Sequence, residues 1–561
     1  MVGRLLRVFN REWSGLHEAA FLLAGTAILS QVLGLLRDRL LAGHFGAGES
    51  LDIYYAAFRV PDFLYASLAS FVAVTVLIPF LLEHASAGGD SDAKAARFIN
   101  SVFTVFVGVM ALGCLLAYAT MPRLAAFIVP GFSPELQTEF VTLSRILLLS
   151  PFLLGISNLF GSVTQSLRRF FVFAAGPILY NIGIIIGIIF LMPRYGLRGV
   201  VWGVILGAFF HVAIQLPVLW PKRLVPRFMA LVSWEDVRRV ALLSLPRTLA
   251  LSAANFAMII LVAIASQITT GSIAVFTLAM NLQSIPLSII GMSYSVAAFP
   301  TLAKLWNKGS QEEFLGEILV AMRHIMFWSF PAIALFIVLR AQIVRTILGS
   351  GAFDWTATRL TAAALALFAL SIVAQNLVLL LTRAYYAMGR TVLPLVANLM
   401  GAAIVVVSSV TLLFSFNHHP LFHYFAEALL RVQDIQGTSI LMLPLGYSLG
   451  MTMNVFLLLY FLRKAFSSAI FGIKKAFLHS FTASIVLGFA TYHGLRLFAL
   501  VFDLDTFWGI FLQGLCAGVL GILVAVFLLN LMGNRELEEV RASLHKKFWN
   551  VRPIAAEKEA L

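Results

Sequence analysis

Charge is what this chain has least of. Only 12% of its 561 residues are Asp, Glu, Lys or Arg, against about 25% in a soluble domain. Apolar residues make up 60%. That balance excludes a soluble globular protein. The longest polar-leaning stretches are the two ends, residues 221–239 and residues 416–438, and none is long enough to bury a core. Cysteine is scarce too. Cys114 and Cys516 both fall in apolar runs, which reads as packing rather than a disulfide. No His/Cys cluster with metal spacing is present, and no phosphate-cradling glycine loop or nucleophile elbow. No enzyme, cofactor or metal is therefore expected. Acids are scarcer than bases, 26 against 40. The bases sit in short loops between apolar runs rather than in a basic domain. That argues against nucleic acid and for a bilayer with anionic headgroups on its cytoplasmic face. Residues 1–18 carry Arg4, Arg7 and Arg11 and no apolar core, so a cytoplasmic lead-in is expected rather than a cleaved signal.

What is there is a long series of apolar runs. A spanning helix needs about 20 mostly apolar residues. Fourteen stretches qualify as candidates: 19–42, 53–82, 98–120, 138–160, 171–192, 198–220, 238–267, 272–303, 318–339, 358–382, 393–415, 439–462, 474–498 and 506–531. With the N-terminus in the cytoplasm, Lys and Arg favour that side by about four to one, so both termini are expected inside. The chain also repeats itself. Residues 165–181 and 382–398 each pair a basic, aromatic loop with Pro-x-x-x-Asn opening the next run, at Pro177/Asn181 and Pro394/Asn398. IVPGF at 128–132 answers ILGSGAF at 347–353. The repeat covers six spans, an even number, which makes the halves parallel. The expected fold is all-α and polytopic: an N lobe at 19–220, a linker at 221–237, a C lobe at 238–462, two extra helices at 463–531 and a tail at 532–561. A central cavity between two such lobes is where transporters of this build hold substrate. The extra helices suit either a larger lipid-facing surface or a groove for a lipid tail.

Charges inside the apolar runs mark the candidate site, because a charge at bilayer depth costs at least about 2.5 kcal/mol. They concentrate at 30–62, where Arg37, Asp38, Arg39, Asp52, Arg59 and Asp62 stand. Arg37 and Asp38 are neighbours, so they are expected on different helix faces. Arg39 either joins the cavity or snorkels to the interface. Asp52 suits a helix cap as well as a gate contact. Arg59 and Asp62 are spaced to pair along one helix, and Pro61 and Pro79 are expected to kink it. Arg145 and Arg247 are further intramembrane cations; Arg247 follows Pro246 at an expected kink. Arginine presents a planar fork that pairs with two oxygens, so the cavity suits an anionic, phosphorylated and lipid-borne substrate. His418, His419 and His423 stand in the expected outer loop 416–438, read as a solvated segment.

The run LGLLRDRLLAGHFGAG followed by YYAAFRVPDFL resembles the opening of the MurJ (MviN) family. GSVTQSLRRFFVFAAGPILYN, LPRTLALSAANF, IVRTILGSGAFD, LLLTRAYYAMGRTVLP and the closing NRELEEV are similar to that family as well. The family belongs to the multidrug/oligosaccharidyl-lipid/polysaccharide exporter superfamily. The resemblance implies fourteen spans and flipping of lipid II, an undecaprenyl-pyrophosphate-linked peptidoglycan precursor, from the inner to the outer leaflet of the bacterial inner membrane. It implies alternating access through a cationic cavity, without ATP. The family's span 1 arginine and aspartate match Arg37 and Asp38, and its span 2 aspartate matches Asp52. Three family cavity arginines are replaced here by Gln31, Tyr65 and Asn281. Arg37, Arg59, Arg247, Asn281 and Gln31 are therefore the expected substrate contacts. Asp38, Asp52, Arg39 and Asp62 are the expected gating or ion-pairing residues. The replaced arginines keep two alternatives open: an exporter of another polyprenyl-linked saccharide or small molecule, and a transport-dead scaffold for cell-wall synthesis proteins.

Overall fold

A computed structural model describes residues 16–68, 91–167, 169–220, 225–466 and 473–548. The lead-in up to residue 15, Pro79 and the last basic residues of the tail lie outside that range. Every regular element among the described residues is helical. The first group is α1 (Leu16–Phe45), α2 (Glu49–Ala57), α3 (Arg59–Leu68), α4 (Ser91–Ile128), α5 (Pro134–Leu147), α6 (Leu149–Ser166), α7 (Phe170–Ile186) and α8 (Leu197–Ala213). Then follow α9 (Trp234–Ser266), α10 (Ser272–Pro286), α11 (Met292–Asn307), α12 (Gln311–Val338), α13 (Arg340–Ile347), α14 (Trp355–Ala369) and α15 (Ile372–Ala387). The last are α16 (Val392–His418), α17 (Pro420–Leu430), α18 (Met442–Ala465), α19 (Lys474–Phe498), α20 (Phe507–Leu531) and α21 (Arg535–Phe548).

Among the described residues, ten helical stretches are long and apolar enough to cross a membrane, or eleven if α14 and α15 form one broken span. Many of their large apolar side chains are exposed, Leu115 and Phe527 among them. Such faces suit hydrocarbon rather than water. Proline acts unevenly. The helix breaks at Phe58, three residues before Pro61, yet Pro246 is absorbed within the continuous α9. A π turn at Leu287–Gly291 follows Pro286, whose missing N–H frees a helical carbonyl.

The chain divides into two compact units. The first comprises Met1–Ile285, Ile347–Phe368 and Arg390–Asn454. Part of its core is a cluster on α4 and α6, where Phe98, Val102, Phe106 and Met110 recur at helical spacing and meet Leu159 and Val163. Within it α7 and α8 pack backbone to backbone. A Cβ added at Gly203 would lie 2.5 Å from the Cα of Gly187, and Gly183 and Gly207 oppose each other equally closely. Gly199, Gly203 and Gly207 recur every fourth residue, the small-residue stripe that lets membrane helices touch. The repeated asparagines both join helices: Asn181 on α7 bonds to α1, and Asn398 on α16 accepts from Asn454 at 2.9 Å. The expected solvated loop 416–438 is instead largely α17. Its His423 pairs with the buried Glu427 at 2.9 Å, while Leu421, Tyr424 and Phe425 face outward.

The second unit comprises Pro286–Thr346, Ala369–Gly389 and Val455–Leu561. Here α19 and α20 form a hairpin against α12, and Asn376 donates to Ser329 at 2.8 Å. The tail helix α21 docks on this unit through Leu537, packed with Phe327 and Leu529. His324 meets Glu539 at 2.9 Å, and Asn534 caps the helix by accepting from the Leu537 amide.

Candidate functional site

The charged residues of 30–62 assemble inside the first unit. Arg37 and Asp38 do not part to different faces as expected. The long arginine folds back, and its Nε and Nη2 donate to Asp38 Oδ1 at 2.9 and 2.8 Å. Arg37 Nη1 also donates to Asn181 Oδ1 at 3.1 Å. Asn181 in turn donates to the Ser30 hydroxyl and the Pro177 carbonyl, which holds it against α1 and its own helix. The second carboxylate oxygen of Asp38 accepts from Asn281 Nδ2 at 3.0 Å. The Arg37 side chain keeps 22% accessibility and Asp38 only 4%. The pair is thus a nearly buried carboxylate with a partly open guanidinium.

Asp52 is a cap, but not of its own helix. Its Oδ2 accepts from the Gly271 amide at 2.6 Å and its Oδ1 from the Ala274 amide at 2.7 Å. Those amides open α10, more than two hundred residues away in sequence, so the carboxylate also faces the positive end of that helix dipole. Arg59 Nη2 reaches the Thr277 hydroxyl at 3.4 Å, a long bond, and its buried Nε has no partner among the described residues. Gly271, Ala274, Thr277 and Asn281 recur every three or four residues. One stripe of α10 therefore receives Asp52, Arg59 and Asp38 in turn.

A second set of contacts closes the end of the unit near Asp52. Arg39 donates to the Ile347 carbonyl at 3.3 Å, and the Ala352 amide donates to the Gly43 carbonyl at 2.8 Å. Gly46, with φ of +62°, and Gly271, with φ of +88°, lie against Ala352 and Ala47 with no room for a Cβ. Gly131 donates to the Ser266 hydroxyl at 3.2 Å. A polar cavity of about 470 Å³ opens beside Asp52 and these loops.

The hydrogen bonds of the Arg37 network do not include Gln31, Tyr65 or Asp62. Gln31 is half-buried on α1 and makes no hydrogen bond among the described residues, and Arg247 is half-buried on α9. Tyr65 accepts from Asn158 at 2.8 Å. Asp62 and Arg59 form no ion pair among the described residues; Asp62 is exposed to a separate pocket. Asn181 and Thr277 were not expected at the site. Only the Pro-x-x-x-Asn repeat hinted at the first, and nothing in the sequence distinguishes Thr277 from a packing threonine. Among the described residues no group of three metal-ligating side chains comes together.

An all-helical polytopic chain with ion-paired and unsatisfied charges sealed among apolar helices has the build of a membrane transporter. Comparison with known proteins narrows this. The family profile described as lipid II flippase MurJ matches residues 41–512, and the chain belongs to that family. The lipid II flippase MurJ of Burkholderia cenocepacia is 26% identical over 381 residues, covering 66% of this chain and 73% of the relative. A probable lipid II flippase MurJ of Rhizobium tropici is 26% identical over 390 residues, covering 67% and 72%. Among solved structures, a lipid II flippase MurJ in an inward closed conformation superposes with a TM-score of 0.72 at 20% identity, covering 91% of this chain and 99% of that one. An inward-facing multidrug transporter of the MATE family in the MOP superfamily superposes at 0.62 with 15% identity, covering 78% and 95%. At those identities the structures speak for the fold.

Proposed function

We propose that this chain flips lipid II from the inner to the outer leaflet of the bacterial inner membrane by alternating access. The match of residues 41–512 to the flippase family carries this reading. The local geometry supports it. Arg59 is a buried cation with an unsatisfied donor, and Arg37 presents a partly open fork. A pyrophosphate offers oxygens in pairs that suit both. Because Asp38 holds Arg37, substrate capture is an exchange. Phosphate oxygens take over the guanidinium, and Asp38 keeps its bond from Asn281. Arg247 is the third cation of this site, with Gln31 and Asn281 as neutral contacts. Asp52, Arg39 and the Gly43–Ala352 contact act as the gate on the outer side, the side that the Lys and Arg distribution assigns to them.

In this reading α1, the broken α2–α3 span and α19 join the eleven apolar spans to make fourteen. The two six-helix lobes rock about the cavity, α19 and α20 hold the lipid tail, and both termini stay in the cytoplasm beside anionic headgroups. Complementation tests it. The chain should restore growth to a bacterium depleted of its own lipid II flippase. Arg37→Ala at equal membrane level should not, and Arg37→Lys should do so only partly, because lysine keeps the charge but loses the fork. Full rescue by Arg37→Ala sinks the assignment. One observation favours a related lipid. Tyr65 is bound to Asn158, and Asn281 to Asp38, so neither supplies the missing positive charge. Binding competition between lipid II and other polyprenyl-linked precursors separates the two readings.

A further inference from the structure

Asp62 has no part in the Arg37 network, yet among the described residues it is the one carboxylate, lysine or arginine lining a pocket of about 240 Å³ inside the first unit. The walls come from four helices and the break before α3. Phe58, Pro61 and Tyr65 lie beside Asp62; α6 brings Ser150 and Pro151, α7 brings Tyr180, and α8 brings His211. The Asp62 side chain makes no hydrogen bond or ion pair among the described residues, and it is exposed to the pocket. A charge standing open within a membrane protein usually faces a partner or a pathway.

The walls say what kind of partner fits. Among the described residues no lysine or arginine lines the pocket. Arg59, the cation next along the same helix, gives its Nη2 to Thr277 instead. The Tyr65 hydroxyl accepts from Asn158 Nδ2, which leaves its own proton and one lone pair to turn inward. Ser150 and Tyr180 add two more hydroxyls, which share a hydrogen bond and between them keep lone pairs to spare. Phe58, Tyr65 and Tyr180 add aromatic faces, whose negative quadrupole attracts cations. His211 is fixed by Ser157, whose Oγ lies 2.6 Å from Nδ1, and Gln215 bonds to that same serine. Among the described residues the titratable groups around Asp62 are thus Arg59, Tyr54, Tyr65, Tyr180 and His211, with none from α6.

One carboxylate, neutral oxygens and ring faces suit a single positive charge. A divalent ion calls for more oxygen ligands and more negative charge. The volume is below the roughly 300 Å³ at which pockets begin to hold drug-sized ligands, so the guest is compact. We propose that this pocket binds a small monovalent cation, with Asp62 as its anionic partner and Tyr65 and Tyr180 as its neutral oxygen and ring contacts. The same chemistry serves a free alkali ion that couples to transport or an ammonium group carried by the transported molecule. The site rests on the transport reading for its purpose but not for its detection.

The test uses the full chain in lipid nanodiscs, with radioactive sodium as the probe and methylammonium as competitor. Saturable sodium binding, or protection by methylammonium, is expected. Asp62→Asn should weaken it by at least about tenfold, the usual loss when one charged partner is removed. Tyr65→Phe should weaken it less. Should Asp62→Asn fold poorly, carbodiimide modification of Asp62 in the parent protein, read by mass spectrometry, replaces it. Either cation should then slow the modification. Protection by sodium alone assigns a free ion, and protection by methylammonium alone assigns a carried amine. No saturable binding of either, equal binding by Asp62→Asn, or an adduct that neither cation slows overturns the site. Lipid II binding on the same samples keeps the two proposals apart, because it can fail while cation binding stands, or stand while cation binding fails.

Discussion

Removing the Asp52 carboxylate should loosen the first unit at one end. Its two oxygens accept from the Gly271 and Ala274 amides at 2.6 and 2.7 Å, and the residue is only 3% exposed. A hydrogen bond to a charged group contributes about 1.5–3 kcal/mol net, and the favourable helix terminus adds about 0.3–2 kcal/mol. Asp52→Ala leaves two amides bare at the start of α10. Water entering the gap recovers part of that loss, so we expect about 2–4 kcal/mol, or roughly 30- to 1,000-fold in the population of the joined state. Asp52→Asn keeps one acceptor oxygen but turns an amide donor toward another donor. It should lose at least about half as much. Spin labels at Glu135 and Trp355, both exposed in this unit, report the change. Double electron–electron resonance should show a single narrow distance in the parent and a second, longer population in Asp52→Ala. An unchanged distribution in a folded Asp52→Ala protein would refute the claim that this carboxylate holds α10 in place.

Two further outcomes follow from other contacts. Gly203→Ala places a methyl against the backbone of Gly187, where nothing flexible can yield, so it should lower stability by about 1–3 kcal/mol, read as a drop in the thermal unfolding midpoint in detergent. For Glu539 burial acts upward, but hydrogen bonds from Arg535 and His324 outweigh it and hold the carboxyl below the usual glutamate range. A carboxyl depressed in the folded state stabilises above its ordinary value of about 4.3 and loses that contribution as pH falls through its lower folded value. The protection factors of the α21 amides, taken against the intrinsic exchange rate at each pH, should therefore fall at acid pH in the parent protein, and Glu539→Gln should flatten that dependence.

Hydropathy made the all-helical, membrane-spanning character of the chain legible. The apolar runs follow from what a bilayer requires of each segment separately. The stretch 30–62 was legible as the place where charge enters the apolar runs, since charge there is costly wherever the run goes. The role of each charge was less readable. Arg37 and Asp38 looked divergent because adjacent Cβ atoms point apart, but a long guanidinium side chain reaches back around the helix. Arg59 and Asp62 had the spacing of a helical pair, and α10 drew the arginine away. Residues 416–438 look polar because His418, His419 and His423 lie close together, yet α17 turns His423 toward Glu427 and its apolar residues outward.

By itself the amino-acid sequence determined that this chain lives in a bilayer, that its long apolar runs are helical, and which residues carry charge into them. These are local properties, set by transfer free energies of consecutive side chains. Which carboxylate caps which helix was decided by tertiary structure alone. Asp52 meets Gly271 and Ala274, and Asp38 meets Asn281, because packing brings one stripe of α10 beside residues more than two hundred positions away. A hydrogen bond depends on separation and angle in space, and neither is encoded in the spacing of residues along the chain.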